Sequence, residues 1–214
     1  MANPANVAGM ARYGINVRGA LGISIPVLRA LAKEIGTDQR LAQELWRSGI
    51  HEARILAGLI ADPDGLTERV MERWVKDFAS WDVCDQVCGN LFDKTPFAFP
   101  KAFAWSRRKE TFVKRAGFVL MAAVSVHDKK SGDAAFKKFL PVIRREAGDE
   151  RNFVKKAVNW ALRQIGKRNV KLNGAAIRTA EQIRKMDSRA ARWIASDALR
   201  ELKSAGVRRR LRGT

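Results

Sequence analysis

Only two cysteines occur in the 214 residues, Cys84 and Cys88. Four apart in an apolar-periodic stretch, they point the same way on one helix, and no further Cys or suitably spaced His completes a zinc site. They read as two buried structural thiols, and reduced cysteines fit a cytoplasmic protein. The two histidines, His51 and His127, lie far apart in sequence and form no pair. No apolar run reaches the ~18 residues of a membrane span, and Met1 to Tyr13 lacks the charged and greasy regions of a signal peptide. Alternating β-branched runs between turn signals are missing too, so no strand is expected. Acidic residues are scarce: 22 Asp and Glu face 41 Lys and Arg, a formal net charge of +19. Such an excess points to nucleic acid or an anionic surface as partner, with a membrane the weaker choice.

What remains is helical. With 46% apolar and 29% charged residues, the composition suits one globular domain over 1–214 with a substantial core. Ser24 and Pro26 open a segment with apolar residues at Val27, Leu28, Leu31, Ala32 and Ile35, and Gly36 closes it, the expected punctuation of a helix. Similar amphipathic stretches run over 38–48, 50–61, 66–79, 81–92, 109–127, 133–146, 150–167, 173–185 and 188–204. The stretch Pro96-Phe97-Ala98-Phe99-Pro100, within 96–105, reads as broken or only partly helical. Paired helices at a spacing of roughly 35 to 45 residues resemble the stacked units of α-solenoids. Such a stack curves and offers a concave wall to a rod-like partner.

The positive charge is spread over many segments: Arg107-Arg108-Lys109, Lys114-Arg115, Lys137-Lys138, Arg144-Arg145, Lys155-Lys156 and Arg163 to Arg168. Any one pair reads as a solvated helix face; the set reads as a basic surface. Residues 206–214, with Arg208-Arg209-Arg210-Leu211-Arg212, read as a separate basic tail, a disordered arm able to grasp phosphates.

Three helices carry candidate chemistry. Trp81 and Asp85 are four apart, one turn on one face. The apolar face of their helix centres on Cys84, Val87, Cys88 and Leu91, which leaves Trp81 and Asp85 on its edge. Core packing for Trp81, and a surface carboxylate or a partner for a nearby Arg for Asp85, are open alternatives. In the next candidate, Phe118, Val119, Ala122 and Val126 form a stripe with Arg115 in line, and a desolvated guanidinium there needs a carboxylate or phosphate. In the third, Val154, Ala157, Val158, Ala161 and Ile165 face the core. Trp160 projects away from them, with Lys156 and Gln164 one turn to either side, a setting for a sugar, base or cation contact.

Taken in order, Ile23-Ser24-Ile25-Pro26-Val27-Leu28-Arg29-Ala30-Leu31-Ala32-Lys33, His51-Glu52-Ala53-Arg54, Ser80-Trp81-Asp82-Val83-Cys84-Asp85, Phe112-Val113-Lys114-Arg115 and Phe153-Val154-Lys155-Lys156-Ala157-Val158-Asn159-Trp160-Ala161-Leu162-Arg163 resemble the bacterial DNA alkylation repair family (AlkD-like). The resemblance implies an all-α, HEAT-like repeat fold with a concave basic face. It also implies a monomeric DNA glycosylase, needing no cofactor or metal, that releases N3- and N7-alkylated purines from duplex DNA in the bacterial cytoplasm. By the same resemblance Trp81, Asp85 and Trp160 line the catalytic cleft, and Arg115 holds a backbone phosphate. Lys114, Lys155, Lys156 and Arg163 are expected to add DNA contacts. Family members usually begin with a helix ahead of the segment equivalent to Met10-Ala11-Arg12-Tyr13-Gly14-Ile15, and this chain is expected to start in the loop after it.

An alkylated purine already carries positive charge, so its glycosidic bond is weak. The chemistry left is to stabilise an oxocarbenium-like sugar and supply water. The competing expectation is a non-catalytic HEAT-like scaffold that recognises bent or branched DNA. A protein-binding helical adaptor fits the +19 charge poorly.

Overall fold

Apolar residues at helical spacing, with polar caps between them, become a chain of short helices. The structure, a computed structural model, describes residues 2–213, and among these there are helices and turns but no strand. The chain divides into two compact units, Met1–Phe97 and Ala98–Thr214.

The first unit holds α1 (Pro4–Arg12), α2 (Ile25–Ile35), α3 (Gln39–Arg47), α4 (His51–Ile60), α5 (Glu68–Lys76), α6 (Trp81–Asn90) and a 3-10 turn at Phe92–Lys94. Asp38 caps α3 through the Leu41 amide and Thr67 caps α5 through that of Val70, satisfying donors a helix start leaves open. Gly36 ends α2 at φ 73, a conformation that favours glycine. The core packs around the stacked Trp46 and Trp74 rings, 4.0 Å apart. Val27 of α2, expected on the apolar face, is exposed, and Leu28 is that helix's buried residue.

The helix α1 corrects the expectation that the chain starts in a loop. None of its residues is buried, so the core leaves no period in its sequence. Hydrogen bonds hold it instead: the Asn3 amide donates to the Leu21 carbonyl at 2.7 Å and Asn6 Nδ2 to the Gly22 carbonyl at 2.8 Å. Gly22, at φ 76, permits that approach, because a Cβ there would lie 2.2 Å from the Asn3 carbonyl oxygen.

The second unit holds α7 (Ala98–Trp105), α8 (Thr111–His127), α9 (Asp133–Lys137), α10 (Phe139–Glu146), α11 (Asn152–Gly166), α12 (Val170–Arg184), α13 (Arg189–Leu202) and α14 (Ala205–Arg212). The segment expected to be broken near 96–105 is a regular helix from Ala98. Its Pro100 sits in the first turn, where no intrahelical N–H is needed. The stretch 133–146 is split at Lys138. Pro141 cannot donate to the carbonyl of Lys137, and its ring crowds that carbonyl. The helix α8 is buried on all sides from Val113 to Ser125, as a central helix is; Val126, expected in its apolar stripe, is exposed. The basic end is a helix as far as Arg212, capped by Ser204 and anchored by buried Leu211, in place of the expected disordered arm; Thr214 lies outside the described residues.

Repetition appears in the contacts. In the second unit, Arg115 with Phe153, Arg144 with Gln182, Asn159 with Asp197 and Arg163 with Glu201 are each 38 residues apart. In the first, Leu21 with Glu52, Trp46 with Asp77 and His51 with Asp82 are each 31 apart. Matching positions of successive helix pairs therefore touch, the mark of a stacked repeat. The longer step falls in the expected range and the shorter just below it.

Candidate nucleic-acid interface

Six tryptophans are sorted by burial. Trp46, Trp74 and Trp105 are core residues; Trp81 and Trp160 are half-buried and Trp193 is exposed. In the first unit, α6 buries Val83, Cys84, Val87 and Cys88, which leaves Trp81 and Asp85 half-buried at the edge of that face. Trp81 is held there by its indole Nε1, which donates to the Tyr13 carbonyl at 3.1 Å. Asp85 is half-buried. Its charge reaches the Cys88 thiol: burial pushes that thiol well up, and Cys84, Asp85 and Asp93 add to the rise. One turn beyond Asp85 is Gly89, where an added Cβ would meet nothing within 4 Å. Trp81, Asp85 and Gly89 thus form one ridge, ending on bare backbone.

Beside Trp81 lies a cleft of about 510 Å³, lined in part by Tyr13, Ile15, Ile25, His51 and Asp82. Sequence spacing did not join His51 to anything; the structure bonds its Nε2 to Asp82 Oδ2 at 2.7 Å. Asp82 also accepts from the Ser80 hydroxyl at 2.5 Å, and that hydroxyl accepts from the Asn16 amide at 3.3 Å. Burial raises the Asp82 carboxyl, but the bonds from His51 and Ser80 more than offset this and hold it below the usual carboxylate value. The chain Asn16–Ser80–Asp82–His51 ties the start of α6 to α4 and to the loop after α1, and so positions Trp81.

In the second unit, α11 buries Val154, Ala157, Val158, Ala161 and Ile165, and Lys156, Trp160 and Gln164 follow one another at one-turn spacing on its accessible side. The helix is locked to α13 by polar bonds. Asn159 Nδ2 donates to Asp197 at 2.7 Å, Arg163 pairs with Glu201 at 2.5 Å, and Lys167 pairs with the same Glu201 at 2.6 Å.

The remaining cations expected at DNA have structural partners. Arg115 is buried, and its Nη1 donates to the Phe153 carbonyl at 2.6 Å. Lys114 is buried between Glu146 at 2.7 Å and Asp149 at 2.9 Å. Lys155 lies over the Trp193 ring, 5.2 Å from its centre. Of the named set, Lys156 is the exposed one.

The charge is also divided in a way the running sequence obscures. Residues 1–97 carry 11 Lys and Arg against 12 Asp and Glu; residues 98–214 carry 30 against 10. The whole excess belongs to the second unit, while the Trp81 and Asp85 ridge belongs to a nearly neutral one.

These helix pairs define a HEAT-like repeat protein. A solved structure of a protein described as belonging to a new family related to the HEAT-like repeat DNA glycosylases, with affinity for branched DNA structures, superposes with a TM-score of 0.78. The match covers 98% of this chain and 91% of that one at 19% identity, which establishes the shared fold. The family model for DNA alkylation repair enzymes matches residues 1–202, and the chain belongs to that family. No curated protein sequence matches it. Among the described residues no helix is long and apolar enough to cross a membrane.

Proposed function

We propose that this protein is a DNA glycosylase that hydrolyses the N-glycosidic bond of N3- and N7-alkylated purines in duplex DNA. The observation that carries the reading is the α6 ridge, where a carboxylate one turn from a half-buried indole stands at the edge of the helix's buried face. In this reading ionised Asp85 stabilises positive charge developing on the deoxyribose and orients the attacking water. The face of Trp81 attracts the cationic base, an interaction worth about 0.5–2 kcal/mol, and Trp160 adds a second aromatic contact. The excess cations of the second unit bind backbone phosphates without reading sequence, with Lys156 beside Trp160. Arg115 and Lys114 then act by holding α8 in place.

The experiment is release of free 7-methylguanine from alkylated duplex. Asp85→Asn is expected to bind DNA nearly as the parent does and to lose most base release; release at the parental rate would remove Asp85 from the chemistry. A second reading is favoured by the charge division: a non-catalytic protein holding bent or branched DNA through its second unit. It predicts no base release by the parent and tighter binding to a four-way junction than to linear duplex.

A further inference from the structure

The family match ends at residue 202, and α14 lies beyond it. This helix completes a cavity of about 320 Å³ lined by Lys129 after α8, Gln164, Lys167 and Arg168 at the end of α11, and Arg210 and Leu211 of α14. Four cations and no carboxylate line it. Arg168 is the central one. Its Nη1 donates to the Ser125 carbonyl at 2.7 Å and its guanidinium lies 3.7 Å from the centre of the Phe136 ring, while its Nε is buried with no hydrogen-bond partner. Neighbouring acids only partly balance the charge. Glu201 takes Lys167, and Asp128 and Asp133 face Arg168, with Asp133 also accepting from Asn169. Burial depresses the Arg168 guanidinium below its usual value, and Asp128 and Asp133 offset part of that fall.

We propose that this cavity is a phosphate-binding site added by α14, taking a backbone phosphate of DNA. Phosphate fits because its oxygens accept from forked guanidinium donors and ammonium groups together. DNA is the source that the surroundings favour. Gln164 belongs both to the cavity and to the Lys156–Trp160–Gln164 line, and Arg208, Arg209 and Arg212 of the same α14 are exposed. The choice of DNA rests on the proposed function; the anion site itself does not.

The test uses the full chain and two probes, inorganic phosphate and a linear duplex. Lys129 is exposed and its replacement leaves the core intact, so Lys129→Gln is the primary variant, with Arg168→Gln second and the adjacent Lys130→Gln as control. Inorganic phosphate, against chloride at equal ionic strength, is expected to shift the Gln164 side-chain amide resonance in the parent and in Lys130→Gln, and much less in Lys129→Gln and Arg168→Gln. Duplex affinity is expected to fall several-fold in Lys129→Gln, with the slope of log affinity against log salt flattened by about one; Lys130→Gln leaves the slope unchanged. A phosphate shift without a change in the duplex slope keeps the anion site and overturns DNA as its source. No phosphate shift and no slope change overturn the site. Base release by the parent is a separate readout, so failure of the glycosylase reading is not mistaken for failure of this one.

Discussion

Glu52 is 2% exposed, and its two carboxylate oxygens accept from the Leu21 and Gly22 amides at 2.8 and 2.7 Å. Those amides belong to the loop on which α1 hangs, so one carboxylate clamps the start of the chain to α4. Glu52→Gln keeps the shape but turns one acceptor into a donor facing an N–H. The expected loss is about 2–3 kcal/mol, because a charge-assisted bond goes and a buried amide is left unpaired. Urea unfolding measures it, and an unchanged midpoint would show that the clamp carries no stability. Residues of this kind were the least legible in the sequence. Trp81 stood out for Asp85 one turn on, and Trp160 for Lys156 and Gln164 one turn to either side. Glu52 and His51 did not, because their partners Leu21 and Asp82 lie 31 residues away, short of the spacing the helix pairs suggest.

Among the helices, those with an apolar period were legible and those held by other means were not. The stretches around α3, α4, α6, α11 and α13 bury whole faces, and that burial writes a period into the sequence. The helix α1 buries nothing, and α14 has one buried anchor among four arginines, so neither left a pattern. Between α8, α10 and α11 a polar cluster replaces apolar contact, with Asp149 paired to Lys114 and Arg151 at 2.9 and 2.6 Å. Burial raises the Asp149 carboxyl, but the bonds from Arg151 and Lys114 overcome it and hold the group at about 2. Glu146, beside the same lysine, is also depressed. A carboxyl with a folded value below its unfolded one binds its proton more readily after unfolding. Its contribution is present above the unfolded value, near 4, and is lost as pH falls toward 2. Unfolding midpoints measured across this window should fall for the parent and fall less for Asp149→Asn, which starts lower at neutral pH. Parallel curves would mean that the cluster does not titrate with folding.

For the whole molecule, the division of charge makes the strongest statement. A net charge of +19 read as one number implies a uniformly basic protein, yet the first 97 residues are close to neutral. The cause is distribution: Asp62, Asp64, Glu68, Glu72, Asp77, Asp82, Asp85 and Asp93 all fall between residues 62 and 93. On the proposed reading, phosphate affinity belongs to the second unit and the candidate acid to the first, and substitutions separate them. Exposed cations of the second unit, Lys171 and Arg178, should contribute to duplex binding more than exposed cations of the first, Arg29 and Arg69. Replacing the former pair by glutamine is expected to weaken duplex binding several-fold and to flatten its salt dependence. The latter pair, treated alike, should change it by less than about twofold, because the carboxylates of that unit offset its positive field and repel phosphate. Anisotropy titrations over a range of salt decide this, and equal effects from the two pairs would mean that DNA engages both units alike.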